Sequence, residues 1–172
     1  MEEVAYAGIG SRLLPEGVPT LMRQIAVWLA NAGVTLYSGG ANGADLAFQA
    51  GCDSVGGPKK IFLPWKDFNG SGSPYYEIPP EAFEIAKYIH PAWNNCSNEA
   101  KFLHARNVQQ VLGKDLDNPV KQVICWTRRG KSVGGTRTAI ILAQELDIRV
   151  FNLYKPDVRE YFERKLKEVA NV

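Results

Sequence analysis

The stretch Leu36-Tyr-Ser-Gly-Gly-Ala-Asn-Gly-Ala-Asp-Leu46 constrains this chain more than any other. An apolar run ends in Ser-Gly-Gly and leads straight into a helix-like segment. Such a run, bounded by glycine, reads as a buried strand followed by a tight turn and a helix N-terminus. Glycine reaches φ > 0 and lets the backbone approach a ligand closely. The first N–H groups of a helix lack partners within it and are receptive to anions. A second glycine turn lies far downstream at Gly134-Gly135-Thr136. Two such turns on one sheet edge predict a phosphate-bearing ligand.

Apolar strands and amphipathic helices alternate along the chain. Val4–Ile9 is a short buried strand running into Gly8-Ile-Gly-Ser-Arg12. Leu21, Ile25, Trp28 and Leu29 mark one face of a helix from Thr20 to about Asn31, with Gly33 as its C-terminal cap. Val34–Tyr37, 60–63, 120–127 and 149–153 are further strands. Helices are expected over 44–50, 81–89, 97–111, 135–146 and a C-terminal stretch striped by Val158, Tyr161, Phe162, Leu166 and Val169. The strands are short and apolar without alternation, as in sheets covered on both faces. The fold class expected is a doubly wound, Rossmann-like three-layer α/β/α domain with about five mainly parallel strands, spanning residues 1–172 as one domain. Residues 64–80 form a loop rich in Gly and Ser, flanked by Trp65, Phe68, Tyr75 and Tyr76. Loops of that length are often functional lids.

Composition narrows the class. The net charge is +2, and no apolar run approaches the roughly 20 residues of a membrane span. No basic segment precedes an apolar one at the start, so no signal peptide is expected. Cys52, Cys96 and Cys125 are scattered, matching neither a disulfide framework nor a zinc spacing. They are read as core residues in a cytoplasmic protein, with no metal site and no cofactor. His104 is read as structural. The P-loop lysine motif, the strict GxGxxG, HExxH, CxxC and the serine elbow are all missing.

In open parallel sheets ligands sit beyond the C-terminal strand ends. The candidate ligand-binding residues are therefore Gly8, Gly10, Ser11 and Arg12 from the first turn; Ser38, Gly39, Gly40, Ala41, Gly43 and Asp45 from the second; Arg106 and Asn107; and Thr127, Gly134, Gly135 and Thr136. Asp45 suits a ribose hydroxyl or an acid–base role, since a carboxylate repels phosphate. Arg106 is the candidate bidentate phosphate clamp. Arg128, Arg129, Lys131 and Arg137 form a basic cluster, with Trp65 and Trp126 as stacking candidates.

The segments Ala7-Gly-Ile-Gly-Ser-Arg12, Ser38-Gly-Gly-Ala-Asn-Gly-Ala-Asp45, His104-Ala-Arg-Asn107 and Gly134-Gly-Thr-Arg-Thr-Ala139 together resemble the SLOG superfamily. That group includes the Rossmann-like domain of DNA-processing protein A and the Lonely Guy, or lysine decarboxylase-like, phosphoribohydrolases. The nearest pattern is that of its small single-domain bacterial and phage members. The resemblance implies a nucleotide-derived ligand over the glycine turns and a homodimer. The phosphoribohydrolases carry a glutamate after their Gly-Gly-x-Gly-Thr turn; here Ala139 stands in its place.

Three functions follow as expectations. The preferred one is binding of a nucleotide or nucleotide-like small molecule, as in a sensor. The second is cleavage or transfer at the N-glycosidic bond of a nucleoside monophosphate, with Asp45 and Arg106 as catalytic residues and Glu84 or Glu99 as other carboxylate sources. The third is single-stranded DNA binding through the basic loop.

Overall fold

A computed structural model describes residues 2–171. Five strands, β1 (Ala5–Gly10), β2 (Thr35–Ser38), β3 (Lys59–Ile61), β4 (Gln122–Trp126) and β5 (Arg149–Asn152), form one sheet in the order β3-β2-β1-β4-β5. Every pairing is parallel. Parallel neighbours need crossovers, and five helices supply them: α1 (Val18–Asn31), α2 (Ala44–Ser54), α3 (Pro80–Ile89), α4 (Asn98–Leu112) and α5 (Arg137–Glu145); α6 (Pro156–Ala170) follows the last strand. The Rossmann-like three-layer expectation thus describes the molecule.

The alternation of side chains along each strand separates two cores. Ala5, Ala7 and Ile9 of β1 face α3, α4 and α5, together with Val123 and Cys125 of β4. Tyr6 of β1, Ile124 and Trp126 of β4 face α1, α2 and α6. No helix among the described residues is long and apolar enough to cross a membrane.

Helix ends follow local chemistry. Pro19 lies inside the first turn of α1, where its missing N–H costs nothing, so the helix begins earlier than the Thr20 expected. Ser97 caps α4 by accepting the Ala100 N–H at 3.1 Å. The segment read as one helix over 135–146 is a 3₁₀ turn, Gly134–Thr136, followed by α5. The third strand is shorter than expected. β3 ends at Ile61; Phe62 still donates its N–H to Ser38 O at 2.9 Å, and it also makes a single bridge to Tyr75.

The 64–80 segment is bound back onto the sheet edge. Leu63 N–H donates to Tyr75 O at 2.7 Å, and Ser73 Oγ donates to Ile61 O. Asn69 Nδ2 donates to Gly40 O and to Asn42 Oδ1, both at 2.9 Å. The loop is therefore fastened to the second glycine turn.

Candidate functional site

The strand order reverses between β1 and β4, and a ligand site is expected above that switch point. A cavity of about 290 Å³ lies there. Ile9, Gly10, Ser11 and Arg12 follow β1, and Thr127 and Arg128 follow β4. Leu103, Arg106, Asn107 and Gln110 of α4 form one wall. Val133, Gly134, Gly135 and Thr136 form another, and Ala41 and Asp45 complete the floor.

Two glycines make this junction possible. Gly10 has φ 151°, and a Cβ there would lie 2.5 Å from Trp126 O. Gly43 has φ 86°, and a Cβ there would run into the Ser11 and Arg12 carbonyls. The β1 turn thus rests directly on the start of α2, where Ala44 N–H donates to Ser11 O at 3.1 Å.

In the second glycine turn the Gly39 and Ala41 amides serve the Asp45 carboxylate rather than an open anion site. Asp45 folds back and accepts the Ala41 N–H on Oδ2 at 3.2 Å, while Leu46 N–H goes to Ala41 O. Asp45 is buried, and burial pushes its carboxyl up to about 6; Arg106, the Ala41 and Gly39 amides and the Ser38 hydroxyl pull the other way.

This shift has a sign. The unfolded carboxyl titrates near 3.8, so between pH 4 and 6 the folded chain holds a proton that the unfolded chain has lost. Stability then falls as pH rises through that window and levels above it. The gap corresponds to about 3 kcal/mol. Asp45→Asn, whose amide oxygen still accepts from Ala41, is expected to abolish this dependence. Urea melts of both proteins at pH 4, 5, 6 and 7 measure it; parallel pH profiles would refute the assignment.

Arg106 is buried with Asp45. Its Nη1 donates to Gly39 O at 2.5 Å and to Phe62 O at 2.9 Å, and its Nε donates to Asn107 Oδ1 at 3.0 Å. Burial lowers its pKa to about 10, so it remains a cation at neutral pH. A bidentate phosphate clamp is excluded by these commitments, and only Nη2 is left for the cavity. The Phe68 ring lies 5.5 Å from the guanidinium carbon. Asn107 in turn donates through Nδ2 to Gly135 O, tying α4 to the third turn.

The third turn is the open one. Gly134 has φ 69°, and the space above both Gly134 and Gly135 is empty to 4 Å. Among the described residues, neither amide donates to a protein acceptor. Successive free N–H groups before a helix make an anion-receptive concavity. Arg12 and Arg128, both exposed, share the same cavity.

Five candidate residues lie beneath or beside the cavity rather than in its wall. Gly8 exists for packing, since a Cβ would sit 2.6 Å from Phe48 Cγ. Ser38 is buried and donates to Gly8 O at 2.6 Å. Gly39 leaves room for Arg106 and Gln110, Gly40 borders a separate hollow under the 69–75 loop, and Gly43 carries the β1 turn. Thr127 lines the cavity, but its Oγ1 accepts from Asn152 Nδ2 at 2.6 Å. Of the basic cluster only Arg128 reaches the wall. Trp126 is buried in the core against Tyr154, which removes it as a stacking platform. Trp65 remains 39% exposed, at a hollow that shares Arg12 and Ala41 with the main cavity.

Sequence reasoning missed Gln110, Leu103, Ile9 and Val133. Gln110 lies one helical turn after Arg106, so the i, i+4 spacing was the available signal. Asp45 is the one carboxylate in the wall among the described residues; Glu84 and Glu99 are exposed elsewhere. Ala139 is fully buried in the core.

No protein-family model and no curated protein matches the chain. Solved structures do share its fold. DNA processing protein A from Helicobacter pylori, described for its single-stranded DNA binding mode, superposes with a TM-score of 0.57 at 20% identity, over 95% of this chain and 73% of that one. DNA processing protein A from Streptococcus pneumoniae gives 0.51 at 17% identity, over 95% of this chain and 56% of the other. The molybdenum cofactor carrier protein from Chlamydomonas reinhardtii gives 0.54 at 14% identity, over 94% and 83%. At these identities the likeness is one of fold: this chain shares its Rossmann-like architecture with DNA-processing and cofactor-carrying proteins.

Proposed function

We propose that the cavity binds a nucleotide or nucleotide-derived small molecule through its phosphate. The observation that carries this reading is the pair of free amides at Gly134 and Gly135, set in one cavity with the exposed Arg12 and Arg128. In this reading the phosphate lies against those amides and the two guanidiniums. The sugar hydroxyls meet Asp45, Asn107 and Gln110, and the base extends toward Trp65. A volume of about 290 Å³ suits a mononucleotide better than a larger cofactor. Binding without turnover is favoured because Ala139 supplies no carboxylate at the third turn.

Thermal-shift and equilibrium-dialysis titrations with nucleoside mono- and diphosphates, beside the matching nucleosides, test this. Phosphorylated ligands should raise the melting temperature and nucleosides should not. Arg12→Ala removes one charge-assisted contact at an exposed position, so affinity should fall by roughly tenfold with the apo melting temperature unchanged. A folded protein stabilised by none of these compounds would overturn the reading.

Single-stranded DNA is the second reading, favoured by the fold shared with a protein described for that binding mode and by the basic 128–131 loop. Its affinity would fall steeply with salt as counterions are released. A gel shift that persists unchanged from low to high salt, or none at low salt, would dismiss it.

A further inference from the structure

The chain has only two histidines, and both meet one of its three cysteines. His90 follows α3, Cys96 follows a short 3₁₀ turn at Trp93–Asn95, and His104 lies in the second turn of α4. Their donor atoms all lie within 4.8 Å of one another. Cys96 is half-buried, which corrects its reading as core; Cys52 and Cys125 are the buried cysteines. His104 belongs to this cluster. The geometry points to a binding site for a borderline-soft divalent cation, zinc by class, held by His90, Cys96 and His104 with an open fourth position.

The separations fit such an ion. Around zinc, at its usual bond lengths to nitrogen and sulfur, tetrahedral ligand atoms stand about 3.3–3.6 Å apart. Cys96 Sγ lies 3.7 Å from His90 Nε2 and 3.9 Å from Nδ1, and all three donor atoms lie within 4.8 Å of one another, so coordination draws the three side chains closer together. The two imidazoles are edge to face, with centroids 4.6 Å apart. His104 Nδ1 pairs with Thr138 Oγ1 at 2.9 Å. In the loaded site Nδ1–H donates to that hydroxyl, which fixes the ring and directs the Nε2 lone pair outward.

Two costs oppose binding and both are met. His90 Nδ1 accepts the Ala92 N–H at 3.0 Å, a bond given up on coordination. It lies at the surface, where water can replace it. Arg137 places a positive charge near His104. The Cys96 thiol loses its proton to solvent as it ligates, and the resulting thiolate offsets that charge. Once bound, the ion would fasten residues 90–96 to α4. Through Thr138 it would also brace the start of α5, directly after the Gly134–Thr136 turn.

The full chain, stripped with chelator under reducing conditions, is titrated with Zn²⁺ against a chromophoric competitor. Co²⁺ is then used as the spectroscopic probe. One equivalent of Zn²⁺ should bind. Cys96→Ser and His104→Gln should each weaken it by roughly tenfold or more. Co²⁺ should give a near-ultraviolet thiolate band that Cys96→Ser abolishes and Cys52→Ser retains. Circular dichroism of the metal-free variants separates lost ligation from lost fold, and His90→Gln, just past the end of α3, provides a third ligand variant. Absence of stoichiometric binding, or a cobalt spectrum unchanged in Cys96→Ser, would overturn the site. Neither result bears on the nucleotide cavity.

Discussion

Arg106→Met is expected to destabilise the protein by about 3–5 kcal/mol, more than any substitution at an exposed arginine. The change preserves much of the side chain's bulk and removes the charge and all its donors. Three acceptors then lose their partner: the Gly39 and Phe62 carbonyls and Asn107 Oδ1. Asp45 loses the nearby cation that opposes its desolvation. Breaking one member of a buried charged network leaves the rest uncompensated, which is why the cost exceeds the network's own net worth. The single variants and Asp45→Asn/Arg106→Met form a cycle. Removing the carboxylate as well should recover part of the loss, so the two effects should be non-additive. Chemical denaturation measures all four proteins. A melting curve for Arg106→Met superimposable on wild type would show that this network does not hold the turn.

That prediction marks where sequence reasoning stopped short. Arg106 and Asp45 both stand out in the sequence and both reach the cavity. Their roles were not legible, because a role depends on which partner arrives first. The Gly39 carbonyl and the Ala41 amide are protein groups already in place, and they capture side chains that spacing alone assigns to a ligand. Gly8 shows the same limit. A glycine at a strand end reads as a close approach to phosphate, yet here it accommodates Phe48, forty residues away. The fold was far more legible. Covered parallel strands leave continuous apolar runs, and helices leave a 3.6-residue stripe, so alternation is written locally. Boundaries were less so: β3 ends at Ile61, and the next residue, Phe62, bridges Tyr75 from a distant loop. The His90–Cys96–His104 cluster escaped for the same reason: its members share no local motif and meet only after α3 packs on α4.

Gly43→Ala is expected to be the most damaging conservative change near the cavity, and its effect should reach the ligand as well as the fold. Gly43 sits at φ 86°, ψ −121°, outside the regions open to residues with a side chain. Its methyl would also collide with the Ser11 and Arg12 carbonyls and lie 2.6 Å from Arg12 C. Those are backbone atoms and cannot rotate away, unlike a flexible side chain. Backbone strain and overpacking together should cost on the order of 4 kcal/mol. Whatever relaxation occurs must lift residues 11–12 off α2, stretching the Ala44–Ser11 hydrogen bond and moving Arg12 in the cavity wall. Gly134→Ala provides the contrast. Its φ of 69° is also unfavourable, but open space surrounds it, so only the conformational cost of about 1 kcal/mol applies. Chemical denaturation should therefore rank Gly43→Ala well below Gly134→Ala in stability. At a temperature where both remain folded, Gly43→Ala should also bind nucleoside phosphates more weakly than wild type. Equal stability of the two variants would mean that the β1 turn is not seated on α2 by backbone contact.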